Sequence, residues 1–206
     1  MTLMTVRPMA SGSDPFSFEE LLDALDELDA PGFRAEVIRG SIVLSPWSKG
    51  YYRRVMRAVL EQLEPRLPDG HEIELAPFLY VFPGEERAYG PDIHAAPREA
   101  FETTSNRLDG EALSFVAELT SASTRDDDLT DKVLVYGRAG IPVYLVLDMQ
   151  EEQATVFWTP SPTKGYESHC TRPFGEKLPI PAPFDCTLDT DGFRAPAADQ
   201  DQNTAS

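Results

Sequence analysis

The sequence predicts an α/β domain, and two observations carry that expectation. Short apolar runs of strand length, such as "FVAEL" and "VYLVLD", alternate with segments whose apolar residues recur at helical spacing. The chain has 206 residues, of which 41% are hydrophobic and 10% aromatic, enough for one ordinary domain with a core that needs no disulfide or metal staple. Residues 1–14 read as a flexible leader and residues 195–206, "APAADQDQNTAS" in "FRAPAADQDQNTAS", as a disordered polar tail, leaving 15–194 as the domain.

The elements follow in order. "SFEELLDALDEL" is an amphipathic helix: Ser17 caps it, Glu20 completes a capping box, and Leu21, Leu22, Leu25 and Leu28 form the apolar stripe. "FRAEVIRGSIVLSP" gives two strands around a turn at Arg39-Gly40, with Val37 opposite Ile42 or Leu44 and Glu36 inside the first strand. Over residues 49–67, Tyr52, Val55, Met56, Val59, Leu60 and Leu63 predict a core-facing helix ended by Pro65 and Pro68. "HEIELAPFLYVF" is a strand or a bent pair, and "GPDIHAAP" places Asp92 at the head of another. A strand ends on Glu118, a helix spans 127–138 with Thr124 or Asp126 as cap, and "VYLVLD" and "ATVFW" form a hairpin.

Composition excludes several classes. No apolar run approaches the roughly 18 residues of a membrane span. The opening residues lack a signal-peptide pattern, so a soluble, cytoplasmic protein is expected. Cys170 and Cys186 have no CxxC spacing and read as reduced thiols. The chain contains no repeat, Gly-rich phosphate loop or zinc spacing. A formal charge of −17 argues against broad attraction to polyanions, although divalent cations held by carboxylates can reverse a local potential.

Three acids sit at the edges of apolar strands: Glu36, Asp92 and Glu118. An unpaired charge delivered by a buried strand is costly, so a cation is expected beside Glu118. Carboxylates so placed suit Mg²⁺, which takes one or two of them with waters and substrate phosphates. Lys132 shares a helical face with Asp128 and Tyr136 and can reach toward the preceding strand; a plain Asp128–Lys132 surface pair is the equal alternative. His94 reads as a hydrogen-bonded structural residue, Asp126, Asp127 and Asp128 as helix-terminal acids, and Tyr136 and Tyr144 as core or rim aromatics.

With these residues in view, the chain resembles the Uma2 family of the PD-(D/E)xK nuclease-like superfamily. The likeness rests on "PD" at Pro91-Asp92, on "ELTSASTRDDDLTDKVLVYGRAGIPVYLVLD", and on "EVIRGSIVLSP" against the family's opening E-L-x-x-G-x-x-x-x-S-P; it covers roughly residues 17–160. The resemblance implies a restriction-endonuclease-like core, a mixed β-sheet flanked by helices. It puts Asp92 and Glu118 in the metal-binding positions for Mg²⁺ or Mn²⁺. Lys132 takes the lysine position, displaced onto the helix because Thr120 stands where E-x-K would place it, and Glu36 takes the auxiliary acid position.

Two departures stand out. The family often has a histidine after S-P, where "WSKGYYRRV" offers Lys49, Tyr52 and Arg53 as phosphate contacts instead, and Ala122 replaces the proline of S-P-S-T. The resulting expectation is a metal-dependent endonuclease acting on DNA. A homodimer follows from nuclease logic, two sites for two strands. The competing readings are a catalytically inactive interaction module, which the negative charge and missing histidine support, and a metal-dependent hydrolase of another substrate.

Overall fold

The structure is a computed structural model, and it describes residues 4–6, 16–46, 48–75 and 78–196. In chain order its strands and helices are β1 (Met4–Val6), α1 (Phe18–Asp26), β2 (Phe33–Ile38), β3 (Ser41–Pro46), α2 (Tyr52–Leu63), β4 (His71–Glu74), β5 (Leu79–Phe82), β6 (Arg87–Tyr89), β7 (Ile93–Pro97), β8 (Arg107–Asp109), β9 (Phe115–Thr120), α3 (Arg125–Leu129), α4 (Asp131–Arg138), β10 (Val143–Asp148), β11 (Gln153–Ser161), β12 (Gly165–Pro173), β13 (Lys177–Ile180) and β14 (Cys186–Asp189).

These strands form two six-stranded sheets, ordered β1-β3-β2-β6-β5-β8 and β12-β11-β10-β9-β7-β4, and a β13-β14 pair. Both large sheets are mixed: β5 runs parallel to β8 and β10 parallel to β9, while the other pairings are antiparallel. Strands β9 and β10 are buried along their whole length, which is why both read as apolar runs rather than as alternating patterns.

Three apolar layers hold the sheets. Leu21 and Leu22 of α1 pack on Val37, Ile42 and Leu44, so Val37 does sit opposite Ile42 in the register. Between the sheets, Ile38, Val43, Tyr80 and Tyr89 meet Val116, Tyr144 and the Val135 and Tyr136 side chains of α4. On the far face of the second sheet, α2 and the β13-β14 segment cover Ile93, Phe115, Ala117, Leu145 and Leu147.

Several local expectations hold and others are modified. The capping box of α1 is complete: the Glu20 N–H donates to Ser17 Oγ at 3.3 Å and the Ser17 N–H to Glu20 Oε2 at 2.7 Å. Met4–Val6, inside the expected leader, pair with β3. The rest of the leader and residues 197–206 lie outside the described residues. Helix α2 stops at Leu63, and a 3₁₀ turn over Glu64–Arg66 contains Pro65. "HEIELAPFLYVF" is a pair of strands sent to different sheets. The single helix expected over 127–138 is two, broken at Thr130 (φ −129°, ψ −75°), whose hydroxyl donates to the Asp126 carbonyl at 2.6 Å and competes for a helical acceptor.

One contact fixes how α4 lies on the second sheet. A Cβ at Gly137 would stand 1.9 Å from the carbonyl oxygen of Gly165, and Gly165 itself has φ +79° with the Val133 carbonyl oxygen 2.5 Å from where a Cβ would stand. In an exposed helix Gly→Ala would stabilise by about 1 kcal/mol. Here Gly137→Ala is expected to destabilise by about 3 kcal/mol through overpacking. Urea denaturation checks this, and an unchanged or raised midpoint would show that α4 and β12 do not approach this closely.

Candidate active site

The site forms where β2, β7, β9 and the α3–α4 segment converge. Alternation along β9 sends Phe115, Ala117 and Leu119 to the α2 side and Val116 and Glu118 toward the other layer, so a carboxylate enters the space between the sheets. Glu118 is 1% exposed. Its Oε1 accepts from Lys132 Nζ at 2.8 Å and from the Tyr136 hydroxyl at 3.1 Å.

Lys132, also 1% exposed, lies among three carboxylates: Glu118, Asp128 at 3.1 Å and Glu36 at 3.4 Å. The surface-pair reading of Asp128 and Lys132 is therefore set aside, because neither side chain reaches solvent. The reading of Asp128 as a helix-terminal acid is corrected for the same reason: it is 2% exposed and belongs to this cluster. Glu36 is fastened by the Gly90 N–H, which donates to Oε1 at 2.9 Å.

Asp92 immediately precedes β7. Its Oδ2 accepts from the Leu119 N–H at 2.8 Å, which ties the head of β7 to the residue after Glu118. Its Oδ1 accepts from Arg34 Nη1 at 2.9 Å. Arg34 was missed at the level of sequence, where it is one ordinary basic residue before the motif that begins at Glu36. Only its place in β2, two residues before Glu36 and therefore on the same face, hinted at its role.

The electrostatics follow from burial. Burial works against a charge on Lys132, yet Glu118, Glu36 and Asp128 hold its ammonium pKa well above the ordinary lysine value. Burial pushes the Glu118 carboxyl up, with Asp128 and Asp92 adding to the rise and Lys132 and Arg34 opposing it. Burial acts the same way on Glu36, but Lys132, Arg34 and the Gly90 N–H outweigh it and leave that carboxyl below its usual value. Four acids, Glu36, Asp92, Glu118 and Asp128, thus share two cations, Arg34 and Lys132. With all six ionised the cluster carries two surplus negative charges.

A cleft of about 180 Å³ opens beside this cluster, lined by Arg34, Ser45, Lys49, Tyr52, Ser121 and Thr124 among others, and none of its lining residues is Asp or Glu. Of the three expected phosphate contacts, exposed Lys49 lines it. Tyr52 lines it with a buried ring whose hydroxyl donates to the Thr120 carbonyl at 3.0 Å. Exposed Arg53 is not among the lining residues.

His94 is corrected in one respect. It is a fully buried structural residue, but neither ring nitrogen has a hydrogen-bond partner. It packs against Phe78, Tyr80 and Phe101, and burial lowers its pKa to about 4, so the ring is neutral at pH 7. Tyr136 and Tyr144 are core aromatics as expected, and both hydroxyls support the site: Tyr136 through Glu118, Tyr144 by donating to the Asp128 carbonyl at 2.8 Å.

A family model described as "Uma2: Putative restriction endonuclease" matches residues 18–191. The chain belongs to the Uma2 family. No curated protein matches the sequence. Among solved structures, this Uma2 chain is similar to a "putative nuclease belonging to DUF820" from Anabaena variabilis, with a TM-score of 0.64, 16% identity, and 83% of this chain and 92% of that one covered. At that identity the likeness bears on the fold, an α/β arrangement of mixed sheets and helices. No helix among the described residues is long and apolar enough to cross a membrane.

Among the described residues no group of three or more His, Cys, Asp or Glu is arranged to hold a metal ion. Asp92 and Glu118 are hard oxygen donors, the chemistry that a divalent cation such as Mg²⁺ takes. Asp92 accepts from the backbone N–H of the residue after Glu118, its charge adds to the rise of the Glu118 carboxyl, and Mg²⁺ needs only one or two carboxylates when substrate and water complete its shell.

Proposed function

We propose that this Uma2 protein is a Mg²⁺- or Mn²⁺-dependent endonuclease that hydrolyses DNA phosphodiester bonds. The observation that carries the reading is the tie that joins the Asp92 carboxylate to the backbone next to Glu118, beside a cleft with cationic and hydroxyl lining and no acid. Asp92 and Glu118 would hold the metal, which when bound supplies Lewis acidity toward a phosphoryl oxygen. Lys132, held as a cation by its three carboxylates, orients Glu118 and stabilises charge developing on the phosphate; it does not act as a base. Glu36 positions Lys132 from the opposite sheet. Lys49, Arg34 and the Ser121 and Thr124 hydroxyls receive the phosphodiester backbone.

A second reading is favoured by burial. Glu36, Glu118 and Asp128 are each at most 2% exposed and paired with an internal lysine, as in a catalytically inactive member whose polar cluster only specifies the fold.

The test is nicking of supercoiled plasmid with Mg²⁺ or Mn²⁺ at low salt, beside Asp92→Asn purified identically. The expected outcome is metal-dependent nicking by the native protein and a loss of about 10²-fold or more in the variant, or roughly 3 kcal/mol of transition-state stabilisation. Equal behaviour of the two proteins would move the interaction module ahead.

A further inference from the structure

Arg34 sits on the wall between the buried cluster and solvent. Its side chain is 21% exposed, and it lines the acid-free cleft while its guanidinium holds Asp92. Both Asp92 oxygens are engaged, one by Arg34 and the other by the Leu119 N–H. A cation seeking Asp92 therefore meets a guanidinium already in place. Directly across the β2–β3 register from Arg34 is Ser45, 2% exposed, which lines the same cleft and whose Oγ has no hydrogen-bond partner. A buried hydroxyl without a partner is costly, and a phosphate oxygen in the cleft would satisfy it.

We propose that Arg34 is a positioning residue that exchanges Asp92 for a substrate phosphate, so that phosphate and divalent cation enter the site together. The proposal rests on the nuclease reading above. The physical argument is a competition for one carboxylate. A guanidinium has five N–H donors in a planar fork that suits a phosphate bidentately. When a phosphodiester occupies the cleft beside Ser45 and Lys49, Arg34 turns onto it and releases Asp92 Oδ1. The freed carboxylate oxygen then faces a cluster short of positive charge, which favours a divalent cation. Without nucleic acid, Arg34 keeps the place and the metal binds weakly. Coupling of this kind is reciprocal, so each ligand must raise the affinity of the other by the same factor.

The experiment uses the full chain with Ca²⁺ as a hard, oxygen-seeking probe and a fluorescein-labelled DNA oligonucleotide. Ca²⁺ affinity without DNA is measured by calorimetry, and oligonucleotide affinity by anisotropy in EDTA and in Ca²⁺. For the native protein, Ca²⁺ is expected to tighten oligonucleotide binding at least tenfold. In Arg34→Met, Ca²⁺ alone is expected to bind at least tenfold more tightly, the oligonucleotide in EDTA at least tenfold more weakly, and the Ca²⁺ effect on DNA to fall to about twofold or less.

Ser45→Ala is expected to weaken the oligonucleotide about threefold in EDTA while leaving Ca²⁺ alone unchanged. Independent binding of Ca²⁺ and DNA to the native protein would overturn the proposal whether or not Arg34→Met folds. So would a folded Arg34→Met with native coupling. Intact coupling without plasmid nicking would remove the nuclease reading and leave the exchange standing.

Discussion

Replacing Lys132 with Met is expected to cost about 3–5 kcal/mol of unfolding free energy, the loss typical of removing one partner from a buried charge cluster. The substitution keeps the length of the stem and removes the ammonium, leaving Glu36, Glu118 and Asp128 facing one another without it. An exposed i,i+4 pair would cost only a few tenths of a kcal/mol. The pH dependence supplies a second signature. Without Lys132 the folded-state carboxyl pKa values rise above those of the unfolded chain, so the penalty is present above the raised values and shrinks as pH falls and the folded protein takes up protons. Urea denaturation at pH 8 and pH 5.5 should therefore show a larger deficit at pH 8. A native-like midpoint, or a deficit that does not change with pH, would mean that the lysine is not the charge that balances this cluster.

Glu118→Gln is expected to lower metal-dependent cleavage about 10³-fold or more, equivalent to roughly 4 kcal/mol or more of transition-state stabilisation, while the fold persists. Gln retains the shape of the side chain and a carbonyl oxygen that can accept from Lys132 and Tyr136, so the packing between β9 and α4 has no reason to collapse. What disappears is a full negative charge at the proposed metal. The informative comparison is single-turnover cleavage of an end-labelled duplex, with thermal melting run on the same preparations. A variant that melts normally and cleaves at the native rate would remove Glu118 from the proposed catalytic set.

Most of the fold was legible because its signals are local. The alternation around Arg39-Gly40 set the β2–β3 hairpin, the 3.6-residue stripe set the core of α2, and the continuous apolar runs announced β9 and β10. The division of strands between two sheets was not legible, since the turn chemistry of "HEIELAPFLYVF" does not state which partner each half pairs with. Nor was the break at Thr130, where one hydroxyl diverts a helical carbonyl without disturbing the apolar period.

The candidate site divides along the same line. Sequence by itself determined that Glu36, Asp92 and Glu118 lie in or at the ends of strands and that Lys132 follows on a helical face, because residue spacing decides which way a side chain leaves its own element. Only the tertiary structure decided what those side chains meet: Lys132 with Glu36 across 96 positions of sequence, and Arg34 with Asp92 across 58. Such pairings depend on how one sheet is laid against another. The same packing excluded water from Asp128, made it a buried partner of Lys132, and left Arg34 at the boundary between the acid cluster and the open cleft.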